Sequence, residues 1–290
     1  MAKIIRVNLA RKAIYSEPVP DRYSFLGGRG LTSRIIFDEV DPTCDALGEK
    51  NKLVIAPGLL TGSSAPSSAR LSIGAKSPLT GGIKESNAGG IVARKLANLG
   101  IKAIVLEGSP ADSSWYGLKI AKASVTILSA EDIMGLGNYD TVSRLRTVHG
   151  PKIGILSIGP AGEKKMGAAT IAITDMEGRP CRHCGRGGLG AVMGSKGIKA
   201  IVIDDRGSDG HILDIADPQG FKEVSKAWSK VLFDAKAGLR QFGTAALVGP
   251  INAVGGLPTR NYSTGNFEGA DKINGLALAE RIKSRGGKTG

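Results

Sequence analysis

Apolar and polar residues alternate in short segments along the first half of the chain, and the segments end at glycine or proline. Residues 1–20 alternate in this way and predict a β-hairpin. The runs LVIA, LSI, IAI and AIVI are rich in β-branched residues, as expected of buried strands. Val92, Leu96 and Leu99 recur at i, i+4 and i+7 and predict one apolar helix face. This pattern predicts an α+β fold.

The hexapeptide GIKAIV occurs twice, at 100–105 and at 197–202. The same order of elements surrounds both copies, over about 52–108 and 152–205: strand, Gly turn, strand, loop, Gly-Gly, short helix, glycine, strand. Two copies are too few for a solenoid, so we expect a duplicated unit with pseudo-twofold symmetry and two β-sheets. Whether equivalent loops share one ligand stays open from the pattern alone.

Other segments fall outside the repeated pattern. Residues 109–150, with a hairpin and a helix of their own, are interpreted as a link between the two copies. Asp217 and Pro218 form an N-cap and N1 pair that opens an amphipathic helix. We therefore expect a platform domain at 1–208 and, at 209–290, the truncated N-terminal part of an all-α domain.

The composition narrows the class of protein. The chain has 290 residues, of which 42 are glycine without a G-X-Y period, which favours tight turns and close backbone approach. No apolar window is long enough to span a membrane, and only three cysteines are present, which predicts a cytoplasmic protein. The formal net charge of +13 favours anionic partners, although solvated surface lysines would also explain it.

Two loops in equivalent places carry the candidate chemistry: KESNAGG at 84–90 and CRHCGRGG at 181–188. Each precedes a predicted helix N-terminus, where free backbone N–H groups favour phosphate. Arg182 and Arg186 add forked donors that suit bidentate phosphate binding, and Arg70 opens the strand before the first loop. Surface ion pairs are the alternative for each arginine taken singly.

Other motifs are incomplete. GRGGLG at 185–190 has the dinucleotide spacing but lacks the preceding strand and the later acidic residue. Cys181 and Cys184 have C-x-x-C spacing, typical of half a zinc site or a redox pair, and no second pair completes four ligands. No spacing typical of a Ser-His-Asp hydrolase is recognisable.

Several longer motifs resemble the N-terminal domain of the aldehyde:ferredoxin oxidoreductase family. They include the segment at 56–90, SIGPAGE at 157–163 and GRGGLGAVMGSKGIKAI at 185–201, and the similarity runs from RVNL to GGLPTRNY. The resemblance implies a base of two pseudo-symmetric sheets that carries a tungsten or molybdenum bis-pyranopterin. A ligand with two similar halves would explain the two similar loops.

The resemblance also implies particular site residues. The expected cofactor contacts are Arg70, Asn87, Gly89, Arg182, His183, Gly185 and Arg186. Asn87 and the main-chain carbonyl of His183 are the expected neighbours of a magnesium ion that bridges the two phosphates, because magnesium prefers oxygen ligands. His183 and Cys184 replace the small residues usual there, so a contact through the backbone tolerates the change better than one that needs a small side chain.

The expected function is that of an oxidoreductase that converts aldehydes to carboxylates and passes electrons through a 4Fe-4S cluster to ferredoxin or a similar carrier. The cluster cysteines are expected beyond residue 290, so we expect the chain alone not to turn over substrate. A homo-oligomer is possible; no membrane or nucleic-acid partner is expected. The alternatives are a non-catalytic module that binds a nucleotide or another anion, and a basic nucleic-acid binder, which 4% aromatic residues disfavour.

Overall fold

The protein is described by a computed structural model that covers residues 2–112, 114–210 and 213–288. Its backbone contacts divide the chain into two compact units, Met1–Ala216 and Asp217–Gly290. The first unit contains both sheets and the predicted site residues.

The first unit contains two six-stranded mixed sheets with the same strand order. The first sheet is ordered β2 (Ala13–Pro18), β1 (Lys3–Asn8), β6 (Ile101–Glu107), β3 (Leu53–Pro57), β4 (Leu71–Lys76) and β5 (Ile83–Ala88). The second is ordered β8 (Val125–Ser129), β7 (Tyr116–Ala121), β12 (Ile198–Asp204), β9 (Gly154–Ser157), β10 (Ile171–Ile173) and β11 (Arg182–Cys184). In both sheets the first and last strands of the copy pair in parallel, and the other neighbours pair antiparallel. The predicted α+β class with two sheets is confirmed.

The repeated order of elements begins earlier than the recognisable sequence repeat. The hairpin β7–β8 and helix α3 (Asn138–His149) take the places in the second copy that β1–β2 and helix α1 (Gly28–Glu39) take in the first. The interpretation of 109–150 as a link between the copies was therefore wrong. The hairpins and outer helices of the two copies have no recognisable sequence repeat, although the hairpins occupy the same places in the strand order.

Two short helices lie between the sheets. Helix α2 (Val92–Asn98) and helix α5 (Leu189–Ser195) each contact strands of both sheets, and one continuous apolar core joins the four elements. Alternate residues of the strands face the outer layers, where α1 covers the first sheet and α3 the second. A further single-turn helix, α4 (Pro160–Glu163), follows β9. Each copy thus packs a helix against the sheet of the other, which binds the two copies together.

The lysine of GIKAIV ties down an equivalent loop in each copy. Lys102 Nζ donates a hydrogen bond to the carbonyl of Ser24, and Lys199 Nζ donates to the carbonyl of Leu136 at 2.8 Å. Both carbonyls belong to the glycine-containing loop that leads into the outer helix, α1 or α3. Because the lysine of each copy holds the loop before the outer helix, there is a physical reason for its repetition in GIKAIV.

The second unit is built from helices. They are α6 (Pro218–Ala235), α7 (Ala237–Phe242), α8 (Val248–Ala253), α9 (Ala270–Ile273) and α10 (Gly275–Ser284). Asp217 caps α6 as predicted, since its carboxylate accepts from the N–H of Gly220 at 2.9 Å. Among the helices in the described ranges, none is long and apolar enough to cross a membrane.

A buried lysine joins the two copies. Lys196, directly after α5, is fully buried, and its Nζ donates to the carbonyls of Gly48 at 2.9 Å and Glu49 at 3.1 Å. Burial lowers the pKa of Lys196 to about 8. Two carbonyl acceptors therefore compensate only part of the cost of burying the ammonium group.

We predict that this lysine makes stability rise with pH. The unfolded chain binds the proton of Lys196 up to about pH 10.5, the folded chain only up to about pH 8, so the unfolded state binds more protons between them. Relative to Lys196→Met, the wild type should gain roughly 2 kcal/mol in free energy of unfolding from pH 8 to pH 10. Urea titrations of both proteins measure this. A stability difference that is constant over the range would contradict it.

Candidate functional site

The edge strands β5 and β11 of the two sheets approach each other, and an open cleft lies where they meet. Its lining combines residues of both copies: Arg29, Lys84, Glu85, Ser86, Asn87, His183, Gly185 and Arg186. The two loops selected from the sequence thus contribute to one cleft.

Among the residues that the structure describes, hydrogen bonds near β5 and β11 connect the two copies. Ser77 Oγ donates to the carbonyl of Gly187 at 2.7 Å, and the N–H of Ile91 donates to the carbonyl of Thr174 at 3.0 Å. The N–H of Arg186 donates to Ser86 Oγ at 3.3 Å. Because each bond crosses from one copy to the other, the cleft's two walls are held in a fixed relation.

Several glycines of the two loops are required by packing rather than by a ligand. Gly90 has φ +122°, and a Cβ there would lie 2.5 Å from the carbonyl oxygen of Thr174. Gly188 has φ +69°, and a Cβ there would lie 2.1 Å from the carbonyl oxygen of Gly167. In these two glycines the backbone therefore lies close to protein, and the absence of a side chain is explained by packing.

Four of the predicted cofactor contacts line the cleft together: Asn87, His183, Gly185 and Arg186. Asn87 lies near the end of β5 and His183 in the middle of β11. Gly185 is exposed, and a Cβ there would meet only His183, at 4.0 Å. This glycine leaves open space at the cleft, unlike the packed glycines that follow it.

The other three predicted contacts lie beside the cleft or outside it. Arg70 donates through Nε to Oδ1 of Asn87 and through an Nη to the Asn87 carbonyl at 3.4 Å. A Cβ on Gly89 would lie 3.8 Å from Arg70 Nη1, so Gly89 borders the same arginine. Arg182 is exposed on β11, opposite Ile173, and does not line this cleft. Successive residues of a strand point to opposite faces, which separates Arg182 from His183.

The predicted magnesium neighbours are oxygen donors of the two copies. Asn87 Oδ1 accepts from Arg70 and, as an amide oxygen, has a second lone pair. The imidazole of His183 is engaged with Thr170, whose Oγ1 lies 2.9 Å from Nδ1. In the described ranges no group of three or more His, Cys, Asp and Glu side chains could hold a metal ion. A cation here would therefore depend on the Asn87 amide, the main chain and the ligand's own oxygens.

The sequence reasoning missed a buried carboxylate in the cleft. The side chain of Glu85 is only 6% exposed; its Oε2 accepts from Arg29 Nε at 3.0 Å. Its Oε1 is buried, and no residue of the described ranges donates a hydrogen bond to it. The available signal was the position of Glu85 two residues before Asn87, which places both on one face of β5. An unpartnered buried oxygen is costly, so it is a candidate acceptor for a ligand N–H or O–H group.

The charges in the cleft favour an anion. Three cationic side chains, Arg29, Lys84 and Arg186, line it together with the single carboxylate of Glu85. Arg70 adds a further positive charge behind Asn87. Guanidinium groups suit the bidentate binding of phosphate oxygens.

The C-x-x-C cysteines are in environments that oppose the reactive thiolate. Cys184 is buried, and burial raises its pKa to about 12. Cys181 is exposed, and its Sγ lies 3.1 Å from Asp175 Oδ2; that hydrogen bond raises the pKa of the thiol. This geometry does not favour a redox pair.

Comparison with known proteins places this geometry in a family. Residues 4–205 match the model for the N-terminal domain of aldehyde ferredoxin oxidoreductase, and residues 222–289 match the model for its domains 2 and 3. Together the matches extend over both structural units.

Individual relatives agree with the family models. The chain is 40% identical, over 98% of its length and 46% of the relative's, to a tungsten-containing aldehyde ferredoxin oxidoreductase of Pyrococcus abyssi. It is 32% identical to the WOR-like subunit of an aliphatic sulfonate oxidoreductase of Pyrococcus furiosus, over 84% of this chain and 40% of that one. The chain thus spans less than half the length of these relatives.

A solved structure has a similar fold. It is the BamBC active-site complex of benzoyl coenzyme A reductase with 1,5-dienoyl-CoA, with a TM-score of 0.72 and 27% identity. The similarity covers 80% of this chain and 34% of that one.

We predict that Gly90→Ala destabilises the protein by roughly 2–4 kcal/mol, because the Cβ would force apart the contact with Thr174 and occupy a strained φ. Gly82→Ala is the matched control: a Cβ at Gly82 meets nothing within 4 Å, and its effect should stay within about 0.5 kcal/mol. Urea denaturation measures both. Equal effects of the two substitutions would show that the contact between the copies is not tight.

Proposed function

The chain belongs to the aldehyde ferredoxin oxidoreductase family, and we propose that it forms the platform for a bis-pyranopterin cofactor in a tungsten- or molybdenum-containing oxidoreductase. The resemblance inferred from the sequence motifs is confirmed at the level of the family. The proposal rests on one observation above all: side chains of both copies line a single basic cleft.

The residues of the cleft fit a ligand that carries phosphate groups and ring N–H groups. Arg186 and Lys84 supply positive charge from opposite copies, and Gly185 leaves room for close approach to the backbone. Glu85 Oε1 offers a buried acceptor that a ring N–H or amino group of the ligand would satisfy. A ligand with two similar halves would use both walls of the cleft.

Each residue would have a distinct task in holding the cofactor. Arg70 holds the Asn87 amide in place, and the second lone pair of the amide oxygen would be available to a magnesium ion bound with the phosphates. His183 would contribute its main-chain carbonyl there, while its ring is held by Thr170. Arg182, exposed on β11, would meet a phosphate only at the outer edge of the ligand.

The reaction we propose for the whole protein is oxidation of an aldehyde to a carboxylate. When bound, the metal and its two pterin dithiolenes supply the two-electron redox chemistry, while the protein positions the reacting groups. Electrons would pass through a 4Fe-4S cluster to ferredoxin or a similar carrier. The cleft residues of this chain bind and orient; none is assigned a proton-transfer step.

We also propose that residues 1–290 alone do not turn over substrate. The chain covers 46% of the length of the Pyrococcus abyssi relative, and C-x-x-C spacing occurs here only at Cys181 and Cys184, where a raised pKa opposes cluster ligation. An anion-binding module without catalysis is the alternative, because residues of this chain line both walls of the basic cleft.

The test is the metal and pterin content of the protein produced in cells that synthesise the cofactor and grow with tungstate and molybdate. We expect tungsten or molybdenum with two pterins per metal in the wild type, by elemental analysis and by fluorescence of the oxidised pterin. In the double variant Arg70→Ala, Arg186→Ala, metal content should fall roughly tenfold or more, because two charge-assisted contacts are lost.

Arg144→Ala is the control, since Arg144 is exposed on α3 and donates only to the carbonyl of Asp132 among the described residues. Its metal content should equal that of the wild type. Circular dichroism establishes that all variants are folded. Wild-type protein that lacks both metals but binds pyrophosphate would contradict the proposal and favour the non-catalytic module.

A further inference from the structure

A second, partly open cavity lies on the first copy near the end of β3 and does not share a lining residue with the basic cleft. Its walls are mainly apolar and include one cationic side chain; they are formed by residues such as Leu26, Pro57, Leu59, Ala97, Ile101 and Lys102. The apolar walls and the single charged side chain distinguish this cavity from an ordinary surface groove.

Lys102 has few partners in this cavity. Its Nζ donates to the carbonyl of Ser24, and no carboxylate of the described residues forms an ion pair with it. Burial lowers the pKa of Lys102, and no neighbouring charge counteracts the shift. The ammonium group thus lacks the counter-charge that a half-buried cation usually has.

The second copy shows what such a counter-charge would be. Lys199, which has the place of Lys102 in the second GIKAIV, is fully buried and pairs with the carboxylate of Glu163. Both oxygens of that carboxylate also accept from the N–H of Gly135, at 3.1 Å. A carboxylate therefore lies between the lysine and the loop that leads into α3.

Strand pairing identifies the position of Glu163 in the first copy. The isoleucine that precedes valine in GIKAIV pairs with Ile55 in the first sheet and with Leu156 in the second. Seven residues beyond each of these come Gly62 and Glu163. The first copy thus has a glycine at the position that corresponds in sequence to Glu163, and a cavity lies beside its lysine.

We propose that this cavity is a binding site for a small monocarboxylate with an apolar body, whose carboxylate pairs with Lys102 as Glu163 pairs with Lys199. The apolar walls would bury the body of the ligand, and its carboxylate would give the ammonium group of Lys102 a partner of opposite charge. The site is separate from the cofactor cleft and does not depend on the proposed function.

The test uses benzoate labelled with ¹³C in the carboxylate, titrated with the 290-residue chain and followed by NMR. We expect saturable binding to the wild type and a dissociation constant raised roughly tenfold or more in Lys102→Met, because the ion pair is lost. Benzyl alcohol, which lacks the carboxylate, should bind roughly tenfold more weakly than benzoate. Lys50→Met, on an exposed loop, should bind benzoate as the wild type does, within about twofold.

A second variant keeps the test decisive if Lys102→Met does not fold. Leu59 is 41% exposed at the cavity, and Leu59→Glu would place a competing carboxylate within the protein. Benzoate binding should be lost in this variant while its circular dichroism stays that of the wild type. Absence of saturable benzoate binding to the wild type, or unchanged binding in Lys102→Met, would overturn the proposal.

Discussion

Close packing between the two copies is the constraint on which the rest of the structure depends. The backbone of Gly90 in one copy approaches Thr174 in the other so closely that no side chain fits between them. Helices α2 and α5 each contact both sheets, and one apolar core connects them. Because interiors are packed as densely as crystals, such contacts allow little relative movement of the copies. The cleft between β5 and β11 is therefore a rigid feature of the fold.

Duplication explains both the likeness and the difference between the copies. The strand order and the lysine of GIKAIV are common to both, and that lysine anchors the loop before the outer helix each time. Side chains that the shared backbone does not require have diverged, as Gly62 and Glu163 illustrate. The cleft likewise combines different side chains, Glu85 and Asn87 from one copy and His183 and Arg186 from the other. One backbone plan thus carries different side chains at equivalent places.

Much of the fold could be predicted from the sequence because its signals are local. Short β-branched runs became strands, and Gly100 and Gly197 have the positive φ, +67° and +65°, expected of residues that end helices. The equivalence of 109–150 to the first hairpin and helix could not be predicted. Alternation and helical periodicity identify the type of an element, but not the element of the other copy to which it corresponds.

The candidate site was predictable in part. Loop position and residue type indicated Arg186, and the resemblance to the family implied Asn87, His183 and Gly185; all four lie in one cleft. The role of Gly90 was not accessible, because a local sequence does not reveal whether glycine admits a ligand or a neighbouring strand. Glu85 was missed for a related reason: its burial is a result of the tertiary fold, and the residue with which it pairs, Arg29, is 56 residues away in the chain.

The central claim is that both copies hold one ligand together. A crystal structure of the protein purified with its native cofactor tests it most directly. The account predicts one bis-pyranopterin in the cleft, with phosphate oxygens within hydrogen-bond distance of Arg186 from the second copy and close to Asn87 and Arg70 from the first. A cofactor whose contacts with this unit come from a single copy, or that lies outside the cleft, would contradict it.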